Sequence, residues 1–338
     1  MNELKSGRPG KATAVAHPNI ALVKYWGKRD EALILPHQSS LSVTLGPLSV
    51  RTTVEFASAA GTDEVELNGK VAQGTERARV VQILEVIRKY TSGLGAARVV
   101  SRGDFPASAG LASSAAGFAA LSVAARAAAG LGRDVREESI LARLGSGSAC
   151  RSIEGGYCAW RKGERADGAD SFAEQLFPAE HWPELRLVVA MVSREEKEVK
   201  SRDGMRSAVE TSPYYPAWAK DAEAEIPRAT ELIRARDLER LGELSERNAW
   251  RMHATSLAAD PPLCYLKPAT LELVLRLPQA RREGIPVWFT LDAGPNPVLL
   301  TDAAHEEQVV ALARAAGASE VVRCGPGGDA RLVNEHLF

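Results

Sequence analysis

The chain has 338 residues, with 42 Lys plus Arg against 43 Asp plus Glu, so its formal net charge is -1. Charged residues make up 25% and apolar residues 45%, which excludes disordered and fibrous proteins. A chain of this length predicts two domains. Because the charges balance, no overall electric field attracts nucleic acid or an anionic membrane, so we expect neither as a partner. An anionic ligand would have to bind in a local pocket.

The cysteines and the N-terminal residues bear on the location of the protein. The 4 cysteines are too few and too scattered for a disulfide framework, and no pair has the CxxC spacing of a zinc site. The first residues, through Lys11, are not followed by the apolar segment of a signal peptide. No apolar run approaches the ~18 residues that span a bilayer. We therefore expect a cytoplasmic protein without a membrane anchor.

Strand and helix patterns alternate through the first half. Val, Thr, Leu and Ile with partial alternation predict strands, and apolar residues at helical spacing predict helices. Small residues also form two loops, one entering a helix within 105–132 and one at 145–152. The predicted strands are 12–23, 40–56, 97–101 and 156–160, and the predicted helices are 76–90, part of 105–132, and a segment from a cap at Asp134 to Leu144.

A composition shift near 178–183 predicts a domain boundary, with domains at 1–182 and 183–338. The second half again mixes strands and helices, which predicts an α+β domain. Two of its strands form a hairpin around the turn 292–297. The predicted strands are 185–192, 287–291, 298–301 and 320–324, and the predicted helices lie within 218–258 and at 271–282 and 304–316.

The segment 110–117 predicts a phosphate site. A loop without bulky side chains leads directly into a helix, whose free amides and positive dipole end favour phosphate. Ser113 and Ser114 can add hydroxyl groups to phosphate oxygens or to Mg²⁺. No Gly-Lys-Ser/Thr follows, so this is not a Walker A loop. The alternative is a small-residue helix that packs closely against a sheet.

Four charged residues are candidates for a substrate site. The Arg151 guanidinium can grip a carboxylate or phosphate in a bidentate manner. Lys24 and Lys28 follow an apolar strand and can neutralise an acidic substrate. Asp292 ends a strand before a Gly-Pro turn and can act as a catalytic carboxylate. The alternatives are a solvated arginine in a surface turn, lysines on a solvated strand edge, and ordinary turn chemistry for the aspartate.

The sequence supports neither a nucleophilic serine nor a metal cluster built from histidines. Ser114 lacks the GxSxG elbow of serine hydrolases. The histidines considered are scattered and suggest neither a catalytic triad nor a metal cluster; they are His17, His37, His181, His253 and His305.

Several segments, taken in order, resemble the diphosphomevalonate decarboxylase family of the GHMP kinase superfamily. The matching segments are 19–30, 39–45, 109–117, 145–152, 210–212 and 292–296. The resemblance implies a two-domain α+β GHMP kinase fold, with an N-terminal domain like ribosomal protein S5 domain 2 and a ferredoxin-like C-terminal domain. It implies ATP-dependent decarboxylation of (R)-5-diphosphomevalonate to isopentenyl diphosphate, with Mg²⁺ and ATP. It also implies a homodimer.

The resemblance also implies residue roles. Asp292 corresponds to the catalytic aspartate, Lys24 to the lysine beside it, and Arg151 to the arginine that holds the substrate carboxylate. The implied ATP-binding residues are Gly110, Leu111, Ala112, Ser113, Ser114 and Ala115, with Mg²⁺ near Ser114. The implied substrate-binding residues, besides Arg151, are Asn19, Tyr25, Lys28, Ser146, Ser148, Ser201 and Arg202.

The chain departs from the family pattern at a few positions. Gln38 stands where the family typically has Asn, His17-Pro18 replaces a Pro-Val type pair, and Glu154 stands where relatives carry an apolar residue. None of these changes removes a reacting group, but the side chain at position 38 bears on the phosphate end of the substrate.

Three alternative functions follow from the same resemblance. One is a phosphomevalonate decarboxylase that gives isopentenyl phosphate. Another is a mevalonate 3-kinase-like enzyme that stops at the 3-phosphate, and the third is a non-catalytic GHMP homologue. Retention of Asp292 and Lys24 argues against the second, and the intact phosphate loop together with Asp292 argues against the third.

Overall fold

The structure is a computed structural model that describes residues 10–57, 61–105, 113–195 and 197–338. It is a mixed α+β fold, as expected. The strands are β1 Lys11–Ala16, β2 Asn19–Val23, β3 Lys28–Asp30, β4 Leu35–Pro36, β5 Ser40–Gly46, β6 Val50–Phe56, β7 Glu64–Leu67, β8 Lys70–Val71, β9 Ala97–Gly103, β10 Tyr157–Trp160, β11 Ala173–Phe177, β12 Leu185–Met191, β13 Trp288–Thr290, β14 Val298–Asp302, β15 Glu320–Pro326 and β16 Arg331–Val333. The helices are α1 Gly74–Tyr90, α2 Ser113–Ala128, α3 Val135–Gly145, α4 Ser201–Thr211, α5 Tyr215–Ala235, α6 Leu238–Leu257, α7 Pro268–Arg282 and α8 Glu306–Ala315, with 3-10 helices at Gly147–Ser152 and Ala179–His181.

Two large sheets organise the chain. A 6-stranded sheet has the order β16-β1-β6-β9-β7-β8, and an 8-stranded sheet follows β11-β10-β5-β15-β12-β14-β13, with β2 paired to β5. The second sheet draws strands from both halves of the sequence, since β15 pairs with β5. The chain then returns to the first half, where β16 pairs with β1. Residues distant in sequence therefore meet around β2 and β5.

Helix α2 packs closely because its residues are small. Its alanines lie in a core with the strands of the 6-stranded sheet and with α1 and α3. The helix shows little difference between its faces, as expected for an element that is buried on most sides. Gly145 allows the next close approach, because a Cβ there would lie 2.1 Å from the Phe118 ring. This packing sets the distance between α2 and the 3-10 helix that carries Arg151.

Most predicted elements are present, with some differences. The region 12–23 is two strands that break at His17-Pro18, and 40–56 is two strands that break at 47–49. The small-residue loop 145–152 is largely a 3-10 helix. The hairpin of β13 and β14 is confirmed, and Asp134 caps α3 by accepting from the Glu137 amide.

Helix α4 was not predicted from the sequence. Its fully buried residues are Gly204 and Ala208, while Met205 and Val209 pack against the core only partly buried, so its apolar stripe is short. None of the helices in the described ranges combines the length and the hydrophobicity that a transmembrane span requires.

Candidate active site

A buried lysine and a partly exposed aspartate meet where two strands end. Lys24 follows β2 and Asp292 follows β13, and Lys24 Nζ lies 2.6 Å from Asp292 Oδ1. The same ammonium donates to the Ala21 carbonyl at 2.8 Å. Burial lowers the pKa of Lys24, and the charge and hydrogen bond of Asp292 oppose that shift. The buried ammonium thus holds a carboxylate that remains partly exposed.

Arg151 adds a second buried cation beside this pair. Its Nη1 donates to Ser40 Oγ at 2.6 Å, and its Nε and Nη2 donate to Asn19 Oδ1 at 3.3 and 3.1 Å. Burial lowers the pKa of Arg151, and the negative charge of Asp292 opposes that shift. Three of the five guanidinium N–H groups are used, which leaves donors for a ligand.

The side-chain amide of Asn19 is fully used in hydrogen bonds that hold Arg151 and its helix. Besides accepting from Arg151, it donates through Nδ2 to the Ser148 carbonyl at 3.0 Å and to Ser152 Oγ at 2.7 Å. Both amide hydrogens and the oxygen therefore have protein partners. The side chain joins β2 to the 3-10 helix of 147–152.

The loop after Lys24 is held from several sides. The Tyr25 ring packs on Trp160 with centroids 4.6 Å apart. Gln38 Nε2 donates to the Trp26 carbonyl at 3.2 Å, so the residue that departs from the family pattern supports the loop backbone. Gly27 has φ +94°, and a Cβ there would lie 2.0 Å from the hydroxyl of Tyr215. Only glycine satisfies both the backbone conformation and the contact.

Several cations surround the region between this loop and α4. Lys28 Nζ pairs with Glu31 at 2.6 Å, and burial lowers the pKa of Lys28. Arg202 and Arg206, on α4, are close enough to lower the pKa of Lys28 further. Ser201 begins α4, and its Oγ accepts from Lys197 Nζ at 3.1 Å. Like charges gathered in this way favour binding of an anion.

Lys197 was missed by the sequence analysis. Burial lowers its pKa, and Asp292 opposes that shift. A Cβ on Gly294 would lie 3.5 Å from Lys197 Cε, so the side chain reaches the turn that carries Asp292. In the sequence Lys197 lies in a charged run that is typical of a solvated loop, and no spacing distinguishes it.

A cavity of about 180 Å³ lies between α1, α2 and the 6-stranded sheet. Ser113, Ser114 and Arg79 are among its lining residues. Burial, with a contribution from Arg202, lowers the pKa of Arg79 to about 10. The guanidinium of Arg79 donates to the Gly145 carbonyl at 2.6 Å through Nε. The cavity thus has a positive charge at one side and hydroxyl groups at the start of a helix.

The cavity lies next to the segment that leads into the 3-10 helix of Arg151. Ser114 Oγ lies 3.3 Å from Ser146 Oγ, which connects the start of α2 to the segment before the 3-10 helix. Ala115, in the first turn of α2, is buried. Gly110, Leu111 and Ala112 lie outside the described residues. A molecule in the cavity can therefore extend from α2 toward the region of Arg151 and Asp292.

Comparison with known proteins gives the same family for both halves of the chain. The diphosphomevalonate decarboxylase-like N-terminal domain matches residues 16–173. The mevalonate 5-diphosphate decarboxylase C-terminal domain matches residues 187–322. Together these matches cover most of the sequence.

Individual relatives match over three quarters or more of their length. The diphosphomevalonate decarboxylase of Aspergillus fumigatus is 42% identical over 308 residues, which are 86% of this chain and 76% of that protein. A structure of the mevalonate diphosphate decarboxylase from Enterococcus faecalis is 40% identical, with a TM-score of 0.88 over 96% of this chain and 99% of that one. A structure described as MDDEF in complex with MVAPP, AMPPCP and magnesium is 40% identical, with a TM-score of 0.89 and the same coverage. The chain belongs to the diphosphomevalonate decarboxylase family of the GHMP kinase superfamily.

Proposed function

We propose that Lys24, Arg151 and Asp292 form the catalytic centre of an ATP-dependent decarboxylase. The reaction is that of the family: (R)-5-diphosphomevalonate and ATP give isopentenyl diphosphate, ADP, phosphate and CO₂ in the mevalonate pathway. The observation that carries the proposal is the contact of 2.6 Å between buried Lys24 and the partly exposed carboxylate of Asp292.

The chemistry explains why a carboxylate suffices at this position. Loss of CO₂ from a 3-hydroxy acid requires the hydroxyl to become a leaving group, and phosphorylation by ATP achieves this. A carboxylate with an ordinary pKa of about 3.9 cannot ionise an alcohol near 15.7 beforehand, because the gap of roughly 12 units costs on the order of 16 kcal/mol. Asp292 therefore orients the hydroxyl and accepts its proton only as the oxygen bonds to phosphorus.

The cations act at the two ends of this step. Arg151 has donors free for the substrate carboxylate and fixes it relative to the reacting oxygen. When the C3–O bond breaks, its electron pair leaves with the phosphate and positive charge develops at C3. The C1–C2 bond then breaks, its electron pair forms the C2=C3 double bond, and the carboxylate leaves as CO₂. Lys24 and Lys197 lie near Asp292, where positive charge stabilises the departing phosphate.

The cavity beside α2 is the proposed ATP site. Ser113, Ser114 and Ala115 form the first turn of the helix, whose positive dipole end favours phosphate. Gly110, Leu111 and Ala112 stay predicted ATP-binding residues from the sequence. The nucleotide would direct its phosphates toward Ser146 and the catalytic centre.

A magnesium ion would bind together with the nucleotide. The described ranges contain no cluster of three or more His, Cys, Asp or Glu residues that could hold a metal by themselves. Mg²⁺ is commonly held by substrate phosphates with few protein ligands, so the oxygens around Ser114 fit this ion. When bound, Mg²⁺ supplies charge neutralisation for the transferred phosphoryl group.

The diphosphate end of the substrate is proposed to lie between Lys28, Tyr25 and the start of α4. Ser201 and Arg202 begin α4, and Arg202 and Arg206 place positive charge near Lys28. Ser146 and Ser148 would contribute hydroxyl groups from the start of the 3-10 helix of 147–152. Because both groups of the Asn19 amide have protein partners, we propose that Asn19 serves the site by holding Arg151.

One assay separates this function from its alternatives. The protein is incubated with MgATP and, separately, mevalonate, 5-phosphomevalonate and 5-diphosphomevalonate, and ADP and CO₂ are measured independently. ADP with CO₂ from the diphosphate is the expected result. The same products from the monophosphate alone would identify a phosphomevalonate decarboxylase. ADP without CO₂ would identify a 3-kinase, and no turnover of any acid would indicate a non-catalytic homologue.

Three broader features are also proposed. The family matches to 16–173 and 187–322 support domains at 1–182 and 183–338. The 4 cysteines are all free, which supports a reduced, cytoplasmic location.

Exposed apolar side chains on α6 and α7 support a homodimer; they are Trp250, Leu257, Leu271 and Leu275. Sedimentation velocity of the wild type and Leu275→Glu tests the dimer, and an unchanged monomer in both would contradict it.

A further inference from the structure

We propose that Asn248 and Glu225 are positioning residues, which fix the backbone of Lys24 and thereby place its ammonium against Asp292. The inference rests on the proposed catalytic roles of Lys24 and Asp292. It assigns a function to two helices, α5 and α6, that contribute no side chain to the proposed catalytic centre.

The first step is the contact of Asn248 with the lysine backbone. Lys24 is the first residue beyond β2, so its amide is no longer held by the strand ladder in that direction. The Lys24 N–H donates to Asn248 Oδ1 at 2.8 Å. Asn248 is 1% exposed and lies within α6. The helix thus holds the chain at the point where it leaves the sheet.

The second step is the contact that orients Asn248. Its Nδ2 donates to Glu225 Oε2 at 2.7 Å. A carboxylate can only accept, so the amide nitrogen must face Glu225 and the amide oxygen must face Lys24. Glu225, on α5, is itself held by Arg247, whose Nε donates to Oε1 at 3.2 Å. The carboxylate therefore selects which end of the amide meets the lysine.

The third step connects the backbone to the reacting groups. The Lys24 ammonium is buried and has two acceptors, the Ala21 carbonyl and Asp292 Oδ1. Thr290 Oγ1 donates to the same Ala21 carbonyl at 2.8 Å, which ties β13 to β2 beside the aspartate. A shift of the Lys24 backbone would move the ammonium relative to Asp292. Misplacement by about 1 Å can cost on the order of 100-fold in rate.

Burying a carboxylate such as that of Glu225 costs desolvation free energy, so its presence in the core calls for a reason. Glu225 is 8% exposed, and an apolar pair would pack α5 against α6 without desolvating a carboxylate. The line of hydrogen bonds instead runs from Glu225 inward and ends at the amide of Lys24. This direction indicates that the pair acts on the lysine and not only on the packing of the helices.

The test uses substitutions that break the line and one that rebuilds it. Asn248→Ala removes both contacts, and Glu225→Ala removes the orienting carboxylate. Asn248→Asp places two carboxylates together. The double variant N248D/E225Q restores the line with the donor and acceptor exchanged, because an amide at 225 can donate to a carboxylate at 248. Ser245→Ala is the matched control, since Ser245 is buried in the same helix and has no hydrogen-bond partner among the described residues.

We expect N248A to lower kcat by about 10- to 100-fold, while the KM values for ATP and the acid substrate change by less than about 3-fold. S245A should keep the wild-type kcat. N248D should lose activity, and N248D/E225Q should regain at least about 10-fold over N248D. All rates are taken per folded protein, from a urea melt of each variant.

The inference is overturned if N248A keeps the kcat of S245A, or if N248D/E225Q is no more active than N248D. The rescue also decides the case in which N248A does not fold. Lys24→Met and Asp292→Asn are assayed alongside. Wild-type turnover in both would overturn the proposed catalytic roles together with this inference. Loss of turnover in both, with N248A and S245A alike, would overturn the positioning role alone.

Discussion

The Lys24 ammonium and the Asp292 carboxylate lie 2.6 Å apart across 268 positions of sequence, and they differ in exposure. The lysine side chain is 1% exposed, whereas the aspartate side chain is 37% exposed. The buried ammonium of Lys24 therefore depends on Asp292 to stabilise its charge, whereas the carboxylate of Asp292 is also stabilised by water. The two halves of the pair should respond differently when they are removed.

The first prediction concerns stability. Asp292→Ala leaves a buried ammonium without its partner, and such a loss costs about 3 kcal/mol in the free energy of unfolding. Lys24→Met leaves a carboxylate that water can reach, so the cost should be about 1 kcal/mol or less. Urea denaturation at pH 7 measures both variants. Equal losses would show that the pair does not have this asymmetry.

The second prediction concerns turnover. Asp292→Asn keeps the size and one oxygen of the side chain but removes the proton acceptor. We expect kcat to fall by about 100- to 10,000-fold, the range for a general base. Binding of ATP, measured by calorimetry with a non-hydrolysable analogue, should be unchanged. Near-normal turnover in this variant would remove Asp292 from the mechanism.

The third prediction concerns the proposed ATP cavity. Gly117 lines the cavity within α2, and a Cβ there would meet no atom within 4 Å. Gly117→Ala should therefore preserve activity and stabilise the helix by up to about 1 kcal/mol. Gly117→Leu should fill the cavity and raise the KM for ATP at least about 10-fold, with a smaller effect on the KM for the acid. If both variants bind ATP like the wild type, the nucleotide lies elsewhere.

The fourth prediction concerns pH. Burial, followed by the charge of Lys24, lowers the pKa of His253 to about 4 from an ordinary value of 6.5. The native histidine stays neutral while the unfolded one binds a proton, so stability falls as pH falls from 6.5 to 4. The loss is up to about 3 kcal/mol. His253→Gln should flatten this part of the curve in urea melts from pH 7.5 to 4.5, and an unchanged slope would contradict it.

The fifth prediction concerns the diphosphate. Arg202→Gln removes a cation from the cluster between Lys28 and α4, so it should raise the KM for 5-diphosphomevalonate by about 10-fold or more. The KM for ATP should change little. Arg282→Gln, on the exposed end of α7, is the control for loss of one positive charge. Equal KM values for the acid in the two variants would place the diphosphate away from Arg202.

The predictability of the fold varied with local signal. The α3 cap at Asp134 and the hairpin on either side of Asp292 follow from short-range rules of capping and turns, and both are present. Helix α4 was not predicted because its fully buried residues, Gly204 and Ala208, are small and its larger apolar residues, Met205 and Val209, span only about one turn. The pairing of β15 with β5 could not be predicted either, since strand partners far apart in sequence leave no local pattern.

The candidate site shows the same division. Sequence motifs alone pointed to Lys24, Arg151 and Asp292, because the segments 19–30, 145–152 and 292–296 resemble one family in order. Lys197 and Asn248 had no such motif. Their relation to the site depends on contacts between elements distant in the chain.

By itself, the sequence determined the family, the reaction class and most helices and strands, since these depend on residue types, spacing and local backbone preference. Only the tertiary structure decided the burial and the contacts of the side chains. Lys24 is buried, and Asn19 accepts hydrogen bonds from Arg151. Glu225 is linked to Lys24 through Asn248. Burial and hydrogen-bond partners are set by the packing of distant segments. The energies of the charged groups depend on that packing, which no local stretch of sequence contains.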